Sequence, residues 1–423
     1  MDNFKFEKIK SKYSIHYLAT DKFKTNLIQI YFMLPLTSWS EAAMNALIPA
    51  VLIRGSNRFP ESRIIKTELK KLYGAGISFS VLKRGENQLL RFSLEYVNEN
   101  YLDENINLSR KSFELLSDLI FNPLLEEKKF VEKYYLQEKK NQIENINSLI
   151  NDKYNYAVEK CFQNMCKDEK YGIYKLGDVK SLKENSCEEL YNQYKKIKSS
   201  ARSSVFMVGD FKKSFISNVF DEIKLPSTDD IIDNFTDKTV PEREVQYITE
   251  EMSVNQAKLT AGFRTGITRD MEEYYALLVV NSLLGGFSQS KLFQEVREKR
   301  SLAYYINSFI ESTKGLMMVS SGINPDNYVE VLKLIKEQIA AVVAGDFTDR
   351  EFQWAKKSII NRLKQDLDSS KSLAAHYLLS VINDKPESII SEINNIKKVG
   401  RNDIMSTAEK IKLDTVYFLR SEE

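Results

Sequence analysis

The chain has 423 residues and a mass of 49.0 kDa, a length that suggests two or three domains. Hydrophobic residues make up 43% and charged residues 28%, enough apolar material to bury real cores, which excludes disorder throughout. Lys plus Arg (61) nearly balance Asp plus Glu (59), and the net charge of +2 creates no global pull toward nucleic acid or an anionic membrane.

The opening stretch MDNFKFEKIKSKYSIHYL has neither an apolar core nor a small-residue cleavage site, so no secretory signal is expected. The longest apolar runs, Leu47–Ile53 and Ala276–Leu284, fall short of a bilayer span. A cytoplasmic protein without membrane or nucleic-acid partners is the expectation. Residues 25–36 alternate and then run apolar, as a strand does. Ser40 and Glu41 open a helix that runs to Ile53 and is closed by Gly55. A short amphipathic helix at 62–73 ends at Gly74 and Gly76. Residues 77–83 and 88–98 read as strands around the loop Gly85-Glu86-Asn87. Helices are expected at about 106–121, 126–165 and 186–198, and a strand at Ser203–Val208 before Gly209-Asp210.

Pro226, Ser227, Thr228, the Asp pair 229–230 and Pro241 mark a linker at 216–244. It separates an N-terminal domain, 1–215, from a C-terminal one, 245–423. The second half then repeats the element order of the first. A strand at Ala257–Arg264 precedes Gly266, a helix at 270–284 and a short helix at 291–300. Strands at 303–309 and 316–322 flank Thr313-Lys314-Gly315. Helices at 327–343, 349–368 and 373–382 and a strand at Asp414–Leu419 complete the half. Residues 68–80 align with 295–307 at an offset of 227, each segment passing from helix into strand. Strands grouped with long helices predict an α+β fold: two homologous domains, each a mostly antiparallel sheet covered by helices.

Few residues are available for chemistry. Cys161, Cys166 and Cys187 form no disulfide framework. With His16 and His376 as the only histidines, a mechanism needing two neighbouring histidines is excluded. Both read as structural, as does the Lys/Glu-rich stretch 126–145. The most informative segment is Leu284-Gly-Gly-Phe-Ser-Gln-Ser-Lys-Leu-Phe-Gln-Glu-Val-Arg-Glu-Lys-Arg-Ser-Leu-Ala-Tyr. A helix ends at Gly285-Gly286, and a short helix capped by Ser288 or Ser290 presents Arg297 before the strand at Tyr304. A guanidinium and a phenol on one surface suit peptide carbonyls or other oxyanions. The plain alternative is that Arg297 pairs with a nearby Glu and Tyr304 packs in a core.

This segment resembles the C-terminal-domain signature of the insulinase/pitrilysin zinc peptidases, the family of mitochondrial processing peptidase. The matching residues are Gly285-Gly286, Ser290, Leu292-Phe293, Arg297-Glu298, Leu302 and Tyr304; a Gly of that pattern is replaced by Ser301. Val208-Gly209-Asp210 and the stretch from Tyr171 to Gly177-Asp178 match other family positions. The resemblance implies two homologous α+β domains of the processing-peptidase type. Active members carry HxxEH on the first helix, where two His and a downstream Glu hold Zn²⁺ and the motif Glu acts as general base. Anchored on Gly55, the motif positions here are Ala46, Pro49 and Ala50, which neither ligate a metal nor accept a proton, and Pro49 interrupts helical hydrogen bonding. The downstream Glu falls near Glu138.

The resemblance implies a non-catalytic, substrate-binding subunit of a heterodimeric zinc peptidase. Zinc would reside in a homologous partner subunit, none in this chain, and Arg297 and Tyr304 would bind the peptide substrate. The peptide would add as a strand to the partner's sheet edge. Alternatives are a non-enzymatic peptide-binding or scaffold protein on the same fold and an enzyme of unrelated chemistry. Isolated, the chain has the option of a homodimer.

Overall fold

The run TNLIQIYFMLP forms the strand Thr25–Pro35, buried from Asn26 to Leu34, as expected of a strand covered on both faces. It is a central member of a six-stranded sheet in the computed structural model, which describes residues 5–9, 14–103, 106–212, 215–216 and 243–422. The predicted linker at 216–244 lies almost wholly outside the described residues. Among the described residues the chain forms two compact units. One comprises Met1–Asn147, Ile173–Phe235 and Ser369–Ala375, the other Ser148–Gly172, Thr236–Asp368 and His376–Glu423.

In the first unit the strand order is Glu7–Ile9, Ser14–Ala19, Arg202–Gly209, Thr25–Pro35, Asn87–Val97 and Gly76–Arg84. All neighbours are antiparallel except Ser14–Ala19, which runs parallel to Arg202–Gly209. Helices Trp39–Leu52, Leu108–Phe121 and Cys187–Ser200 place Leu47, Val51, Phe113, Leu116, Leu190 and Tyr194 in one core with the sheet.

In the second unit the order is Ala303–Glu311, Leu316–Ile323, Ala257–Arg264, Lys412–Arg420 and Gln246–Glu251. Gln246–Glu251 is parallel to Lys412–Arg420 and the other pairs are antiparallel. Apart from the extra strand Glu7–Ile9, the two sheets therefore have the same order, the same edge hairpin and the same single parallel pair. The α+β expectation holds, as does the duplication of topology.

Some expectations are corrected. The long helix at 126–165 is two helices, Glu132–Ser148 and Lys153–Met165, joined by the 3₁₀ turn Leu149–Asn151; the Asp152 side chain caps the second by accepting from the Asn155 N–H at 3.1 Å. The second of these packs on the second sheet through Ala157, Val158, Cys161, Phe162 and Met165, against Met318 and Tyr417. The segment Ser148–Gly172 thus belongs with the C-terminal unit, although it lies inside the 1–215 boundary. The first helix is capped by Ser38 rather than Ser40. Strand Gln246–Glu251 and helices Ile389–Lys398 and Arg401–Ala408 are additional to those expected. No helix among the described residues is long and apolar enough to cross a membrane.

Candidate functional site

The helix Trp39–Leu52 carries the degenerate motif positions. It runs through Pro49, whose missing N–H removes one helical bond without ending the helix; the Ile53 N–H still reaches the Pro49 carbonyl at 3.3 Å. Ala46 and Pro49 are buried and Ala50 is half-buried. Neighbouring side chains are engaged structurally. Gln88 donates to the carbonyls of Ala42 and Lys175 at 2.9 and 2.6 Å, and Gln142 to those of Ala43 and Leu176 at 3.1 and 2.9 Å. Asn45 bridges Gln88 and Gln193. Gly177, at φ +69°, lies so close to this helix that a Cβ would sit 2.4 Å from that of Ala43. Gly55, the anchor of the motif alignment, likewise presses on the Pro60 carbonyl, 2.5 Å from where a Cβ would be.

Glu138 does not stand free for a metal. Its carboxylate pairs with the Arg54 guanidinium and accepts from Asn141 at 3.1 Å. These residues do not fit a zinc ion, and among the described residues no cluster of three or more His, Cys, Asp or Glu is placed to hold one.

The second unit carries the other candidate residues. Helix Tyr274–Asn281 continues into a π-helical turn, Ser282–Gly286. There Gly285 meets the edge strand so closely that a Cβ would lie 2.7 Å from the Ser308 nitrogen, which accounts for a glycine at that position. A second π-helical turn, Phe293–Lys299, bears Arg297. Neither Ser288 nor Ser290 caps it; Ser290 is buried. Such turns are uncommon and recur at functional sites.

Arg297 is exposed, and its guanidinium carbon lies 4.8 Å from the centre of the Phe293 ring. Its neighbours are neutralised, Lys299 by Glu295 and Arg300 by Glu330 at 3.1 Å. Arg297 itself has no carboxylate partner among the described residues. The chain then turns through Ser301 at φ +55°, closed by Ser301 N–H to Arg297 carbonyl at 3.1 Å and Leu302 N–H to Val296 carbonyl at 2.9 Å.

Tyr304 follows on the edge strand Ala303–Glu311. Ala303 faces Ile323 and Tyr305 faces Gly322, so Tyr304 is the extra residue of a β-bulge, a device that re-aims a side chain. It is 72% exposed, whereas the ring of Tyr305 beside it meets that of Tyr154 edge-to-face at 5.6 Å. Among the described residues the plain alternative, Arg297 paired with a nearby Glu and Tyr304 packed in a core, is not found.

The histidines are structural. His16 is buried, stacked on Phe206 at 4.9 Å and bonded to Ser14 at 2.9 Å; burial, then Lys8 and Arg202, pushes its pKa down to about 4. His376 lies 3.2 Å from Glu392, beside Arg269, and burial followed by that guanidinium pushes it down to about 3. The three cysteines are buried, and desolvation raises the Cys187 thiol to about 11, so it is a weak nucleophile. Sequence reasoning missed a buried ionic group, Arg243, Arg264, Lys314, Glu169 and Asp414, because its members are dispersed along the chain.

Residues 186–359 match the family model described as the peptidase M16 inactive domain. A Bacillus subtilis protein, described as the probable inactive metalloprotease YmfF, is 35% identical over 98% of this chain and 98% of its own length. Among solved structures, a conserved protein from Enterococcus faecalis V583 is 25% identical, with a TM-score of 0.91 over 100% of this chain and 99% of its own. A peptidase M16 inactive domain from Pseudomonas fluorescens shares the fold at 16% identity, with a TM-score of 0.80 over 100% of this chain and 99% of its own. The chain therefore belongs to the M16 peptidase family, and it lacks the two-histidine metal motif.

Proposed function

We propose that this chain is the non-catalytic, substrate-binding subunit of a two-subunit zinc peptidase. The observation that carries the reading is that Arg297 is exposed and has no carboxylate partner among the described residues, while Tyr304, seven residues on, is lifted outward by a bulge. Both are spared for an external ligand in a chain whose motif positions, Ala46, Pro49 and Ala50, have no metal chemistry. The partner supplies zinc, its activated water and the general base. Arg297 and Tyr304 donate to oxygens of the bound peptide, orienting it and stabilising charge that develops on the scissile carbonyl. The planar fork of Arg297 suits this task better than an ammonium does.

The test is co-purification from the native source, with zinc analysis and peptidase assay of the complex. Alone, the chain should hold no stoichiometric zinc and cleave nothing. In the complex, Arg297→Ala or Tyr304→Phe should leave melting temperature and association unchanged. Each should lower kcat/KM, by up to about 10²–10³-fold where the donor acts on developing charge. A ground-state contact would raise KM alone. Arg297→Lys should also be impaired. Wild-type rates in the doubly substituted complex defeat the proposal. Co-purification of a partner without zinc or peptidase activity points instead to a scaffold or peptide-binding protein.

A further inference from the structure

The contact made by Arg297 is itself informative, because among the described residues its guanidinium lies over an aromatic ring and has no carboxylate partner. An aromatic face attracts a cation through the ring quadrupole. For a planar guanidinium resting on a ring, one face is then occupied while the N–H bonds, which lie in the plane, stay free. The Phe293 ring is 4.8 Å from the Arg297 guanidinium carbon, one turn away on the same π-helical segment. The other cations of the turn are held by carboxylates, Lys299 by Glu295 and Arg300 by Glu330.

We propose that Phe293 is a positioning residue for Arg297. Its ring fixes the plane of the guanidinium, so that the N–H edge meets a peptide oxygen without first losing the freedom of a long exposed side chain. The inference deepens the substrate-binding reading given above and depends on it. Substrate reaches Arg297 and not Phe293, which acts only through the guanidinium.

The experiment is a double-mutant cycle in the complex with the co-purifying zinc subunit, using an internally quenched casein peptide as probe. Phe293→Leu keeps an apolar side chain and removes the quadrupole. It should lower kcat/KM by about 2–5-fold, the range expected of an exposed cation–π contact. Phe293→Trp should restore the wild-type value. In an Arg297→Ala background Phe293→Leu should have no further effect, because the residue has nothing left to position. Phe293→Met replaces the Leu variant if that variant does not fold. Wild-type activity for Phe293→Leu, with Arg297→Ala impaired, overturns this inference and leaves the substrate-binding reading intact. An equal loss with and without Arg297 overturns it too, since that is the mark of a purely structural ring. Full activity of Arg297→Ala and Tyr304→Phe removes the substrate-binding reading itself, and the inference with it.

Discussion

Asp414 is the residue whose loss should most damage the second unit. Its carboxylate accepts from Arg264 Nε at 2.8 Å and from Arg243 Nη2 at 2.7 Å. Arg264 Nη2 reaches Glu169 at 2.5 Å and the Met165 carbonyl at 2.8 Å, and Lys314 Nζ lies 2.8 Å from Glu169. Arg264 and Asp414 are only 3% and 5% exposed in their side chains. Burial alone would raise the Asp414 pKa, but hydrogen bonds from Arg243, Thr415 and Arg264 hold it below the usual carboxylate range. Asp414 is therefore charged at neutral pH, with Arg243 and Arg264 facing its carboxylate. Asp414→Asn removes the carboxylate that Arg243 and Arg264 share, while Arg264 and Lys314 keep Glu169. Removing one partner of a buried pair typically costs about 3–5 kcal/mol, because the remaining charge has lost its solvent as well as its partner.

A loss of that size is a large part of the roughly 5–15 kcal/mol that stabilises a folded domain. Two units need not melt together, so native-state hydrogen exchange is the appropriate assay. Protection should fall in Lys153–Met165, Ala257–Arg264 and Lys412–Arg420 and persist in the first-unit strands Thr25–Pro35 and Asn87–Val97. Asp414→Leu combined with Arg264→Met should recover most of the loss, leaving the Lys314–Glu169 pair neutral and the more exposed Arg243 able to turn to solvent. A loss below about 1 kcal/mol for Asp414→Asn refutes the reasoning. So does an equal loss of protection in both units, because the ionic group would then not be what binds Ser148–Gly172 to the second sheet.

Three further outcomes follow from the same structure. His376 has a folded pKa depressed to about 3, so its contribution is complete above the unfolded value near 6.5 and is lost as pH falls through that window; His376→Gln should flatten the acid side of the stability curve by at most about 1.4 kcal/mol per pH unit. Ser301 holds φ +55°; Ser301→Gly should stabilise by about 0.5–1 kcal/mol, relief of strain exceeding the added chain entropy, whereas Ser301→Val should destabilise by more than about 1 kcal/mol, both read by thermal unfolding. Glu41 is held below the usual carboxylate range by Lys196, Thr37 and Gln193 against the opposing effect of burial; Glu41→Gln should lower the melting temperature by an amount that shrinks as pH falls toward 4, since the ionised form is the one the fold stabilises.

Much of the fold was legible because its strands are strongly patterned. Thr25–Pro35 is a long, mostly apolar run, and Asn87–Val97 and Ala257–Arg264 alternate apolar with polar residues over most of their length. Gln246–Glu251 was not, since an edge strand reading QYITEE has little apolar signal and is identified only by its parallel pairing with Lys412–Arg420. The break at 149–152 was hidden for a different reason: no Gly or Pro interrupts the stretch, and Asp152 caps the new helix without an external mark. The stripe Ala157, Cys161, Phe162 and Met165 predicts an apolar helix face but not which of two similar sheets it covers. Of the candidate site, Arg297 and Tyr304 were visible as residue types at a spacing. The Phe293 contact, the bulge and the neutralisation of Lys299 and Arg300 depend on backbone geometry and on Glu330, 33 residues beyond Arg297.

The duplication accounts for the scaffold on which the proposed ligand site of the second unit stands. At the offset of 227, Gly74 falls on Ser301, Lys70 on Arg297 and Ile77 on Tyr304. Gly74 and Ser301 both occupy left-handed conformations, φ +76° and +55°, and both lead from a short helix into the edge strand of their sheet, Gly76–Arg84 in one and Ala303–Glu311 in the other. The turn is thus retained in two copies, and in the second it is retained with a residue that is strained there. Preservation of the geometry at that cost means that the turn matters more than the side chain at its hinge. What differs is what the turn presents: an ordinary surface lysine and a half-buried isoleucine in the first unit, a ring-backed guanidinium and an exposed phenol in the second. The scaffold that positions the site is common to both halves, whereas the chemistry lies in the few side chains placed on it.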